Sequence, residues 1–113
     1  MKHTSKAQWR LKQKLRTGNI IASRLNLGVE DKKAVEFMIK TIKNFKLLSK
    51  RESNETIIAA LCFYCLKTRD TSKQIEYYSV LKEYGLNDKV YGTIVTHLAN
   101  YYQKKVVVVY SDI

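Results

Sequence analysis

Apolar positions along the chain fall into blocks at helical spacing, separated by short polar or glycine-containing breaks. Residues 1–17 are polar and basic, a pattern open to either a helical or a loose arm. Ile20, Ile21, Leu25 and Leu27 then give a short apolar face, which Gly28 is placed to end as glycine ends many helices. Between Glu30 and Leu48, the residues Val35, Met38, Ile39, Ile42 and Phe45 recur on one helical face. Glu30, Asp31 and Glu36 stand near the start of that segment and Lys43, Lys46 and Lys50 near its end, a polarity that suits a helix dipole. Ser53 or Asn54 can cap a third helix. Its run from Ile57 to Leu66 is apolar nearly all the way round, which predicts a central helix enclosed by others; it is too short to span a membrane. Thr71 and Gln74 have capping-box spacing and predict a fourth helix with Ile75, Tyr78 and Leu81 inward. Tyr84-Gly85-Leu86-Asn87 reads as a turn, after which Asn87 or Asp88 caps a fifth helix with Val90, Ile94, Leu98 and Tyr101 on one face. Val106 to Tyr110 is a β-branched run and predicts an extended tail.

The pattern therefore predicts an all-α protein: a basic arm over residues 1–17, then a single helical domain over 18–113, a five-helix bundle built around the central apolar helix. Proline is absent and there are four glycines, so little in the chain forces long helices to break. A lone extended tail cannot satisfy its own hydrogen-bond ladder, so it must pack down, fray, or pair with another chain and make an oligomer.

Charge changes the picture from a plain bundle to a lopsided one. The chain carries a net +11, and residues 52–113 hold as many acids as bases, so the whole excess lies in residues 1–51. Up to Arg24 there is no acid, only Lys2, Lys6, Arg10, Lys12, Lys14, Arg16 and Arg24. An acid-free basic segment attracts polyanions, because neutralising phosphates releases counterions. The plain alternative is a solubilising arm. The N-terminus has no apolar stretch behind its charges, so no secretory signal is expected, and two cysteines without one suit a reducing cytoplasm, the host's if the source is a virus. Trp9, Leu11 and Leu15 give too narrow an apolar face for a membrane-surface arm.

The order of helices resembles one cyclin-like repeat of the archaeal transcription factor B and eukaryotic transcription factor IIB family. Ile21-Ala22-Ser23-Arg24-Leu25-Asn26-Leu27 matches the end of the first helix, Glu55 through Leu66 the alanine-rich central helix, and Thr71-Ser72-Lys73-Gln74-Ile75 the Thr-x-x-Glu-Ile that opens the fourth. The likeness covers residues 20–103. It implies a five-helix cyclin-like bundle whose fourth and fifth helices form a helix-turn-helix that reads promoter DNA. Asn87, Lys89, Gly92, Thr93, Thr96 and His97 would then face outward. The chain departs from the family in having one repeat rather than two, no preceding zinc ribbon, a longer fourth helix and turn, and a fifth helix with one fixed positive charge on that side. A single, proline-free repeat rich in lysine, isoleucine and tyrosine also resembles small proteins of archaeal viruses or plasmids.

Other chemistry is sparse. Cys62-Phe63-Tyr64-Cys65 has CxxC spacing, but no second pair follows and the run lies inside an apolar helix, where cysteine acts as a small hydrophobe. His97 stands one residue from the apolar stripe of its helix and reads as a contact residue or a core-edge histidine. The tyrosines crowd the second half; they suit either stacking and interface roles or the filling of an amphipathic core. There is no phosphate-binding glycine loop, no paired acids and no nucleophile motif, so no enzyme, metal or cofactor is expected. The expected function is a nucleic-acid-binding, transcription-factor-like module, with double-stranded DNA as ligand through Lys2, Lys6, Arg10, Lys12, Lys14, Arg16 and Arg24 together with Lys89, Thr93, Thr96 and His97. The alternatives are an adaptor that contacts RNA polymerase or another transcription factor, and a structural nucleoprotein.

Overall fold

The computed structural model describes the backbone of residues 5–111 and the side chains of residues 5–103. Among these residues the chain is all helical: α1 (Lys6–Arg24), α2 (Val29–Thr41), α3 (Asn54–Arg69), α4 (Ser79–Glu83) and α5 (Asp88–Ser111), with short 3₁₀ turns at Phe45–Leu47 and Ile75–Tyr77.

Helix α3 is the axis of the fold. Ser53 caps it by accepting the Thr56 backbone N–H at 3.2 Å. Every residue from Thr56 to Phe63 is buried, as is Cys65. The all-round apolar run thus becomes an enclosed helix because α1, α2, α4 and α5 each pack on it. Phe63 meets Tyr78 and Tyr91 edge-to-face, at centroid distances of 6.2 and 5.1 Å, and joins α3 to the second half of the chain. Most tyrosines of that half fill the edge of the core: Tyr64, Tyr78, Tyr84, Tyr91, Tyr101 and Tyr102 are half-buried, while Tyr77 is exposed. Tyr101 donates its hydroxyl to the Thr41 carbonyl at 3.0 Å and so satisfies one of the free carbonyls at the end of α2.

Helix α1 begins much earlier than the apolar pattern suggests. Ser5 and Gln8 form a capping box, each side chain bonding the other's backbone N–H, at 3.1 and 3.2 Å. Leu11 and Leu15 pack against the core and Gly18 is buried, so residues 6–17 run without a break into the rest of α1. Nothing in the helix marks a boundary at residue 17. Residues 1–4, with Lys2 and His3, lie outside the described residues.

The stop after α1 is set by Asn26, not Gly28. Asn26 takes φ +58°, Leu27 N–H reaches the Ala22 carbonyl at 2.9 Å, and Asn26 N–H reaches Ser23 at 3.0 Å. This is a Schellman motif, with asparagine in the left-handed position. Gly28 is instead the residue before α2. The same motif closes α4: Gly85 takes φ +79°, Leu86 N–H bonds Leu81, and Gly85 N–H bonds Lys82, both at 2.9 Å.

Three further expectations are corrected. The segment from Glu30 to Leu48 is not one helix. It leaves α2 at Ile42, which is extended, and Asn44 caps a 3₁₀ turn by accepting Lys46 N–H at 3.0 Å. Ile42, Phe45 and Leu48 remain buried, so the helical spacing is kept although the helix is not. The fourth helix does not open at Thr71. Asp70 accepts both the Ser72 backbone N–H, at 3.0 Å, and its hydroxyl, at 2.6 Å, and this turn displaces the capping box. Only Ser79–Glu83 is α-helical there. Val106 to Tyr110 is not extended. It continues α5, which Asn87 caps by accepting Val90 N–H at 2.9 Å. Extending an existing helix fixes one residue per added hydrogen bond, so a weak β preference gives way where the described residues include no strand to pair with. Chain pairing through a C-terminal strand loses its basis with that strand.

Candidate nucleic-acid interface

The helical turn sorts the bases of α1 into two groups. Lys6, Arg10 and Lys14 follow one another at four-residue spacing and share a stripe. Lys12 and Arg16 form a second pair at the same spacing, roughly 120–160° round the helix from the centre of that stripe. Arg24, at the far end, is committed to an ion pair. Its Nη1 donates to Glu83 Oε1 at 3.0 Å and its Nη2 to Glu83 Oε2, which fastens α1 to α4. The fork-to-fork contact raises the Arg24 pKa and, mainly by that hydrogen bond, holds the Glu83 carboxyl below its ordinary value.

Arg10 and Lys14 of that stripe border a cleft of about 380 Å³ between α1 and the end of α2. Leu11, Ile39 and Ile42 give it an apolar floor, and Arg10, Lys14, Lys40 and Lys43 stand on its walls. No acid lines it. Glu36 lies 3.9 Å from Lys40 on the exposed face of α2, a weak pairing. Lys14 is half-buried, and its ammonium lies 4.2 Å from the centre of the Phe45 ring, within cation–π range. Burial, and then the charge of Arg10, lower the Lys14 pKa. Cations crowded at a cleft without an acid leave a site that an anion would relieve.

The α5 residues lie elsewhere. The grooves that α1 borders take their other walls from α2 or α3, whereas α5 packs on α3. Lys89 is exposed. Thr93 donates its hydroxyl to the Lys89 carbonyl at 3.2 Å and Thr96 to Gly92 at 2.8 Å, so both turn back onto their own helix. His97 Nδ1 lies 3.2 Å from the Leu47 carbonyl, which places its proton on Nδ1 and ties α5 to the 3₁₀ turn after α2. The two sets of candidate residues are therefore not brought together, and the α5 set presents few free donors. The turn between α4 and α5 is present, but α4 is only five residues long.

Lys40 and Lys43 complete the cleft, Phe45 lies against the Lys14 ammonium, and none of the three was singled out in the sequence as a binding residue. Lys43 read there as a complement to the helix dipole, and Lys40 carried no reading of its own. The signal that could have found them is the continuation of basic residues at the end of a helix whose opposite face is apolar. Cys62 and Cys65 are both free and buried, in keeping with a core role. Burial raises both thiol pKa values, that of Cys65 to about 11. Among the described residues no group of histidine, cysteine, aspartate and glutamate side chains is placed to hold a metal ion. No described helix is long and apolar enough to cross a membrane. Comparison with protein families, with curated proteins and with solved structures finds no match for this chain.

Proposed function

We propose that this chain is a nucleic-acid-binding, transcription-factor-like module that holds duplex DNA by its phosphate backbone. The observation that carries the proposal is the acid-free cleft walled by Arg10, Lys14, Lys40 and Lys43. Lysine and arginine at this density supply affinity without sequence preference, since phosphate contacts position a protein and base contacts specify its site. Lys6 extends the grip along α1. Lys12 and Arg16 add general attraction from another side. The five-helix order and the turn before α5 support the cyclin-like, transcription-linked part of the reading, and Lys89 at the start of α5 is its remaining phosphate contact.

The test is a salt titration of a labelled blunt duplex against the full chain. Four phosphate contacts give a slope of about −3 to −4 in log affinity against log salt. Absence of binding at low salt would end the proposal.

A second reading has its own observation. Phe37 is 60% exposed at the rim of an open cleft with Met38, Tyr64 and Tyr102, on a part of the surface away from the basic cleft. An exposed aromatic beside apolar walls suits a protein contact. That surface fits the adaptor role, with RNA polymerase or a transcription factor as partner.

A further inference from the structure

Trp9 is the chain's single tryptophan and stands 57% exposed on α1. It is not needed for the core, which is filled by Leu11, Leu15 and the residues they touch. An exposed indole offers a broad, flat face for stacking or contact. What surrounds it narrows the choice. Trp9 borders a second groove, of about 270 Å³, between α1 and the first turns of α3. Arg10 and Lys14 line this groove as well as the basic cleft, so they form a ridge between the two. Gln13 and Asn54 bring amide donors and acceptors, and Glu55 an acceptor, to the same groove.

A flat aromatic face beside two cations, with amides and a carboxylate within the same groove, suits one kind of occupant. The ring takes a nucleobase by stacking, the cations take the phosphates on either side of it, and the polar groups meet its edge. A lipid surface would favour several apolar residues pointing one way, whereas Trp9 is flanked by Gln8, Arg10 and Gln13. A base inside a duplex has no free face, so the groove selects an unpaired one.

We propose that the α1–α3 groove binds single-stranded nucleic acid, with an unpaired base stacked on Trp9 while Arg10 and Lys14 hold its flanking phosphates. This rests on the nucleic-acid reading above and extends it. The neighbouring cleft grips backbone of any form, and Trp9 adds a preference for strands with free bases.

Trp9 emission reports the site directly, because no other tryptophan contributes. The full chain is titrated at low salt with a thymidine oligonucleotide of about 12 nucleotides, within the span of one stacking module, and separately with a blunt duplex. The expected result is saturable quenching of Trp9 by the single strand and little by the duplex. By anisotropy of labelled oligonucleotides, Trp9→Leu weakens single-strand binding by about tenfold, the loss of one stacked base. It leaves duplex binding unchanged, and Trp9→Phe restores single-strand affinity to within about twofold. Single-strand binding without quenching, or equal loss of both ligands in Trp9→Leu, overturns the proposal and leaves the duplex reading standing. Failure of wild type to bind either ligand overturns the duplex reading itself. The quenching experiment uses wild type alone, so it holds whether or not a variant folds.

Discussion

Gly18 lies under Ile39 so closely that a methyl group on Gly18 would stand 2.8 Å from Ile39 Cδ1. The contact is where α1 meets α2, and the Gly18 carbonyl faces the Cys62 thiol of α3 at 3.8 Å. Three helices therefore meet at one residue without a side chain. Alanine at Gly18 gains about 1 kcal/mol of helix propensity but must push aside the flexible end of Ile39. The two effects nearly cancel, so Gly18→Ala changes stability by less than about 1 kcal/mol. Gly18→Val cannot be accommodated in this way and lowers stability by about 2–3 kcal/mol. Ile39→Val removes the opposing methyl and recovers part of that loss. Urea unfolding of the two single variants and the double variant measures the coupling.

Asn26 holds the left-handed position that ends α1, and Leu27 is buried beyond it. Asn26→Ala forces a Cβ into that conformation without the local hydrogen bonding that favours asparagine, and costs about 1 kcal/mol. Asn26→Gly stays within about 0.5 kcal/mol, since glycine is the residue most at ease there. Thermal unfolding of the two variants separates them. Equal loss in both would mean that the asparagine side chain, not the backbone angle, matters.

The Arg24–Glu83 pair joins helices 59 positions apart in sequence, yet both side chains are largely exposed, at 42% and 53%. Its contribution is small and falls with salt. Its pH dependence has a definite sign. Glu83 has a lowered pKa in the folded chain, so its contribution is complete above the unfolded glutamate pKa of about 4.3 and disappears as pH falls through the folded value. Glu83→Gln flattens the acid limb of the melting temperature as pH falls below about 4.3. An acid limb unchanged in Glu83→Gln would show that the pair adds nothing in solution.

Cys62 and Cys65 face the core side of α3, and both thiols have raised pKa values, chiefly by burial. At about pH 8.5 a free cysteine is half thiolate, whereas Cys65, at about 11, is almost wholly protonated. Alkylation of the native chain at that pH is therefore at least about a hundredfold slower than that of a free cysteine. In denaturant both thiols react at the ordinary rate. Because the folded pKa values lie above the unfolded ones, stability also declines as pH rises beyond the ordinary thiol range. Fast native labelling of either thiol would contradict the burial described here.

The parts of the fold that the sequence made legible are those set by burial. The all-round apolar run from Ile57 to Leu66 could only be an enclosed helix, and α3 is one. The inward residues named for the other helices are also largely the buried ones, down to Ile94 and Leu98 on α5. What the pattern hid was set by short-range hydrogen bonds. Ser5 and Gln8 start α1 within a polar stretch, Asn26 stops it two residues before the more obvious glycine, and Asp70 pre-empts a cap that Thr71 and Gln74 would otherwise form. The candidate site was half visible. Arg10 and Lys14 stood out as basic residues, but their union with Lys40, Lys43 and Phe45 depends on how α1 crosses α2. Gly18 lets the two helices approach closely there, and the hydrophobic pattern does not mark it.

Lys14 gives the sharpest test of which bases hold phosphate. It is half-buried, borders both grooves of α1, and has its ammonium over the Phe45 ring. Burial and Arg10 lower its pKa, so Lys14 loses its charge at a lower pH than ordinary lysines do. Binding needs the charged form, so affinity for a duplex falls as pH rises toward the lysine range, and falls first through Lys14. Lys14→Arg keeps the charge at every accessible pH and removes that early fall. Lys14→Gln and Lys43→Gln each make the salt slope shallower by about 1, the loss of one phosphate contact. Lys12→Gln and Arg16→Gln, on the other side of α1, change it by less than about half as much. Lys14→Gln does not destabilise the fold by loss of charge, since its surroundings already disfavour the ammonium. Its melting temperature stays at or above that of wild type, which separates a binding defect from an unfolding one. Equal effects from all four neutralisations would mean that the chain attracts nucleic acid by its overall charge and that the α1–α2 cleft has no special part in it.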